Sequence, residues 1–164
     1  MSIAALIQEF EMEAATTRRV LERVPSDKLA WAPHTKSMTL GKLAMHLANA
    51  PGFISAWPLT DTFEFTPGGE PVPTSTADIL AVHDKGVVEG KTNLAKLGDA
   101  ALGKMWSATS GGKTLMSMPK GALVRAIMMN HTYHHRGQLS VYLRLLDVPV
   151  PSIYGPSADE NPFR

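Results

Sequence analysis

Residues 130–151 read NHTYHHRGQLSVYLRLLDVPVP, and the reading of this stretch decides the architecture. With Pro119 upstream as a favoured first-turn residue, the pattern predicts a helix from 119 to about 146, which Pro149 and Pro151 prevent from continuing. At 100° per residue from His131, the residues Val124, Ile127, His135, Gln138, Tyr142 and Leu145 all fall within about 40° of it. The apolar stripe of this helix therefore has a polar centre. Imidazoles at positions i and i+4 project one above the other from one helix face, a spacing that lets both bind a single ion.

Working outward, three more helices are expected. Ile3, Leu6, Ile7, Phe10, Ala14, Leu21 and Val24 recur at three- and four-residue spacing, which predicts a helix from about 2 to 24, stopped by Pro25. Thr39 can cap a second helix carrying Leu40, Leu43, Leu47, Ala50 and Ile54, with a kink or early break expected at Pro51. Ser75 or Thr76 caps a third, with Leu80, Val87, Leu94 and Leu97 on one face, fading near 98–103. Residues 58–74, with several Pro and two adjacent Gly, read as an irregular connection. The segment MWSATSGGKTLMSM at 105–118 suits a small hairpin about Gly111 and Gly112, and the last fifteen residues read as an irregular tail. The fold class expected is all-α: one four-helix-bundle domain over 1–164, with a small β-hairpin before the last helix.

Composition narrows the function. The 164 residues are 44% hydrophobic and 19% charged, enough for a sizeable core without staples, so a metal would serve function rather than folding. Sixteen basic and fifteen acidic side chains give a formal charge of +1 with no Lys/Arg block, which argues against nucleic acid as a partner. The absence of cysteine excludes a thiolate metal site, a CxxC redox pair and a Cys nucleophile. The opening residues lack a signal-peptide pattern and no run of 18 apolar residues occurs, so a cytoplasmic protein with no membrane partner is expected.

Leu43, His46, Ala50, Phe53 and Trp57 follow three-four-three-four spacing on the second helix, which can turn His46 into the interior as a third ligand. A helix-borne pair plus one facing His makes a three-His site whose fourth position stays open to water or substrate, the form of a catalytic centre. The rival reading is three hydrogen-bonded core histidines; burial of an imidazole on an apolar stripe costs desolvation and favours the metal. His134, about 60° from His131, can replace His135 or bond at the stripe's edge. His83 shares the face of Leu80 and Val87 and is the main competitor for a ligand position, with a plain core role as its other reading. His34, in a Pro-containing loop, has no role. Gln138 and Tyr142, one and two turns beyond His135, are candidate catalytic or substrate-orienting groups, since a ligating imidazole usually donates its other N–H to a partner; their alternative is a hydrogen-bonded core role. Arg136 is expected to be solvated or paired with acidic neighbours, or to meet an anionic substrate. Zincin, P-loop, dinucleotide-binding and nucleophile-elbow motifs are missing, as is the Glu-x-x-His pair of di-iron bundles.

The 130–151 stretch, the upstream MTLGKLAMHLAN at 38–49 and the tail SIYGPSADE at 152–160 together resemble the DinB family of damage-inducible, YfiT-like proteins. The resemblance implies a four-helix bundle, often a homodimer, active in stress response, with a divalent metal on three histidines. Matched by position, these are His46, His131 and His135. Relatives of this type include metal-dependent thiol transferases and mycothiol-dependent isomerases. The function expected is that of a metal-dependent transferase or hydrolase acting on a small molecule. Zinc or nickel, or else iron, would activate a low-molecular-weight thiol or water. The alternative is a non-enzymatic dimeric bundle in which the histidines hold a structural ion or serve as core.

Overall fold

The first helix begins where Ser2 accepts the backbone N–H of Ala5, and in the computed structural model α1 runs Ile3–Leu21. The structure describes residues 2–163 apart from Pro67 and Glu70, which lie within the 58–74 connection. Ile3, Leu6, Phe10, Ala14, Thr17 and Leu21 form its buried stripe. The helix closes at Leu21 rather than 24. Arg23 and Val24 donate to Val20 and Leu21 at 3.1 Å, tightening the last turn, because a residue before proline is pushed out of the α region.

Thr39 caps α2 (Leu40–Ser55) by accepting the Lys42 N–H. Pro51 lies inside α2 without ending it, so the early break expected there does not occur. Ser75 and Asp78 form a reciprocal capping box at the start of α3 (Thr76–Leu97), which stops at Gly98 with φ 68°. β2 (Met105–Ser110) and β3 (Lys113–Pro119) form the expected hairpin, and both loop residues are left-handed: Gly111 has φ 56° and Gly112 φ 75°. That pair of conformations is the hairpin turn glycine permits.

Two parts depart from the expectation. Part of the 58–74 connection is ordered as β1 (Thr62–Glu64), which pairs in parallel with β2 through Thr62–Ser107, Phe63–Ala108 and Glu64–Thr109. The domain is thus a helical bundle with a three-stranded sheet, β1-β2-β3, rather than a bundle with a hairpin alone. Three residues carry too short an alternation to read, and their partner lies some 45 residues away. The predicted helix over 119–146 is also not uniform. It comprises α4 (Lys120–Leu123), a π-helical stretch Val124–Asn130, and α5 (His131–Leu145).

The helices pack in a ring, α1 against α3, α3 against α2, α2 against α5 and α5 against α1. The closest approach is between α2 and α3, where a Cβ on Gly52 would lie 2.7 Å from the Gly86 Cα, so only glycine fits. The core has two parts. One gathers Leu6, Phe10, Trp57, Leu94, Met128 and the sheet's Trp106; the other gathers Val20, Leu43, Leu47, Ile79, Leu139 and Leu143. Polar layers lie between them, carrying His83, Arg136 and the histidines of α2 and α5. The tail is irregular, as expected, but strapped down: Arg19 pairs with Glu160 and Arg144 with Asp159. Among the described residues no helix is long and apolar enough to cross a membrane.

Candidate metal centre

His46 sits between buried Met45 and Leu47 on α2, at the junction of the two core parts. Across the seam, the π stretch ends at Asn130, so His131 and His135 stand on regular α-helix one turn apart. Wide turns of this kind recur at functional sites. Val124 and Ile127, which the wheel places on the His131 face, both pack in the core through these turns, whereas Leu145, placed on the same face, is 57% exposed at the end of α5.

The three imidazoles converge. His135 Nε2 lies 2.9 Å from His131 Nε2, which lies 3.3 Å from His46 Nε2. Ring centroids are 4.3 to 5.0 Å apart and the planes are almost perpendicular, so nitrogens rather than faces meet. A ligand nitrogen from each lies within 4.8 Å of the others. Two imidazole nitrogens on one zinc-sized ion, each at about 2.1 Å, stand roughly 3.0 to 3.4 Å apart for bond angles between octahedral and tetrahedral. The spacing here suits one shared ion. His135 is 8% exposed, and His46 and His131 are half-buried, which leaves one side of the cluster open.

Gln138 supplies the decisive polarity. Its Oε1 lies 2.7 Å from His135 Nδ1, and an amide oxygen can only accept, so Nδ1 carries the proton and Nε2 turns a lone pair toward the other rings. Gln138 thus stands beside the cluster, against the outer nitrogen of His135. Tyr142 is placed elsewhere: its hydroxyl donates to the Met38 carbonyl at 3.3 Å and its ring meets Trp31 edge-on, fastening α5 to the loop that enters α2.

The remaining histidines fall away from the cluster. His134 is exposed, with its ring 4.9 Å from that of His135. His34 lies in an exposed loop and accepts the Lys36 N–H. His83 is 2% exposed on α3, with Nδ1 at 3.2 Å from the Asp84 carboxylate; it borders a cavity of about 10 Å³ with Phe10, Thr17 and Met128. Burial pushes its pKa below the usual histidine value, opposed by Asp84, so it takes the core role. Arg136 faces α1 and pairs with Glu13 at 2.7 Å, so the acidic-neighbour reading holds and an anionic substrate has no free guanidinium there. Phe53, placed by its spacing on the interior stripe with His46, is 53% exposed. The spacing missed the aromatic group it joins, because Phe63 and Phe65 arrive on β1 and the residue after it.

A sequence model of the DinB family, so described, matches residues 1–162. The chain belongs to the DinB family. YrdA of Bacillus subtilis (strain 168), whose name describes it as uncharacterized, is 30% identical over 162 residues, covering 94% of this chain and 89% of that protein. The crystal structure of a DinB-like protein from Bacillus cereus ATCC 10987 has TM-score 0.74 at 27% identity, covering 93% of this chain and 98% of that one. That of a DinB-like protein from Bacillus subtilis, YjoA, has TM-score 0.67 at 16% identity, covering 95% and 98%, and shares the fold. As a DinB protein this chain has three histidines placed together that could hold a metal ion.

Proposed function

We propose that the chain is a metal-dependent enzyme that holds a divalent zinc or nickel ion on His46, His131 and His135 and acts on a small-molecule substrate. The observation that supports this reading is the meeting of three Nε2 atoms at 2.9 and 3.3 Å, with Gln138 holding the far side of His135. Three protein ligands, where structural zinc sites use four, leave a position for a reactant. A divalent cation held there supplies Lewis acidity, bringing the pKa of a water or a low-molecular-weight thiol toward neutrality.

The chain's own groups do the positioning. The helix holds His131 and His135 one turn apart, and Gln138 fixes the tautomer and tilt of the His135 ring. Tyr142, tied to the Met38 carbonyl, keeps α5 against the entry to α2 so that His46 stays opposite the pair. Buried Leu43, Leu47, Leu139 and Leu143 keep water from the inner side. A chain without cysteine requires its thiol from outside, which suits thiol transfer and hydrolysis alike.

Metal content of protein purified without an affinity tag tests the reading, paired with thiol-transfer and hydrolysis screens of wild type and His135→Ala. One ion per chain and an activity that both disappear in His135→Ala are expected. Wild-type protein that takes up no divalent ion, or an activity undiminished in a metal-free His135→Ala, overturns it.

A further inference from the structure

The strip of α2 that carries His46 continues outward through Asn49 and Phe53, three and seven residues on. Those positions lie about 4.5 and 10.5 Å along the helix axis from His46. Phe53 is 53% exposed, an apolar ring left facing water two turns along α2 from His46. Together with Asn49, Phe63, Phe65 and Thr66 it lines a cavity of about 370 Å³. Small-molecule pockets run from roughly 300 to 1,000 Å³.

The cavity is built on a rigid aromatic base. Trp106 and Trp57 are nearly parallel, 4° apart in plane at 5.9 Å, and Phe63 stacks on Trp57 at 4.5 Å. Phe53 meets Trp57 and Phe63 edge-on at 5.5 and 6.0 Å, and Phe65 meets the same two at 5.3 and 5.1 Å. Both tryptophans are buried in the core, while Phe63 and Phe65 are only half-buried. The outer rings are thus held by fixed inner ones and still offer apolar surface to the cavity. Such rings favour a planar partner, stacked or edge-on, over a flexible or charged one. Asn49, one turn from His46 on α2, brings a polar group to the cavity wall on the side of the histidines.

We infer that this cavity is the substrate pocket of the three-histidine centre, and that it selects molecules whose body is a planar apolar, preferably aromatic, group and whose reactive end reaches the histidines. The inference rests on the metal-dependent reading above.

Two hydroxamates separate the two. Acetohydroxamate reports an open metal position alone, and 2-naphthylacetohydroxamate adds a planar apolar body. By calorimetry on zinc-loaded protein, the naphthyl compound is expected to bind at least about tenfold more tightly, the worth of burying one aromatic group. Phe53→Ser is expected to erase that advantage and leave acetohydroxamate affinity unchanged, which also shows the centre still folded; Phe65→Leu serves as a second variant. Equal binding of the two compounds by wild type, or an advantage that survives in both variants, overturns the pocket. Failure of acetohydroxamate to bind overturns the open metal centre instead. The pocket is then decided on metal-free protein with 2-naphthamide, which has no chelating group. Saturation-transfer signals present in wild type and lost in Phe53→Ser support it, and their absence from wild type overturns it.

Discussion

His135 and Arg136 are adjacent in the chain and about 100° apart around α5, so they enter the bundle on different seams and meet opposite fates. Arg136, 1% exposed, finds its complement inside the fold. Its guanidinium bonds the Glu13 carboxylate and carbonyl, the Thr17 hydroxyl and the Tyr154 hydroxyl, and Tyr133 and Tyr154 lie 5.4 and 5.0 Å from it. Charge is cancelled and both terminal nitrogens are engaged. His135 instead faces two more imidazoles, whose ring nitrogens meet its own at one point. A buried cation beside its carboxylate is structure, whereas three imidazoles gathered at one point could hold a metal ion.

The largest test breaks the closed side. Arg136→Met strands the partly buried Glu13 carboxylate and is expected to cost about 3 kcal/mol in urea denaturation while leaving metal content intact. An Arg136→Met protein that keeps wild-type stability would mean the network is no more than incidental. On the open side, an ion at a hundred times its dissociation constant adds about 2.7 kcal/mol, so a chelator should lower the melting temperature of wild type and of Arg136→Met alike. His135→Ala should be indifferent to the same chelator.

Gln138→Leu sharpens the contrast from within the site. Losing the acceptor for His135 Nδ1 is expected to weaken metal affinity by about 10- to 100-fold in a competition titration, with folding little changed because Gln138 is exposed. The smallest effect concerns His83, a lone buried histidine belonging to neither cluster. Desolvation lowers its folded-state pKa, so below the unfolded value of about 6.5 the unfolded chain binds a proton that the folded one resists. Stability should be full above that pH and fall as the pH drops from 7 toward 5, by at most about 1.4 kcal/mol per unit from this group. His83→Gln measured on metal-free protein should flatten that slope; an unchanged slope would assign it elsewhere.

Short-range pattern carried a good part of this molecule. Ser75 with Asp78, and Gly111 with Gly112, mark a helix start and a hairpin through contacts only a few residues long. The same holds for His131 and His135, whose common face is a property of one turn. His46 was legible as an inward candidate because its helix has a readable stripe, yet the same stripe misplaced Phe53. β1 stayed hidden since its hydrogen bonds go to β2, far along the chain, and the π stretch because nothing in VRAIMMN announces a wider turn.

Residue order was thus sufficient for the rods, the turn and the histidine pair, which depend on neighbours one or two turns away. Packing alone settled that His46 rather than His83 joins that pair, that Glu13 neutralises Arg136, and that Phe53 looks outward over a cavity. Each of these follows from how far a helix is rotated about its axis when it docks, an angle set by the sum of all contacts across the seams and written in no single local spacing.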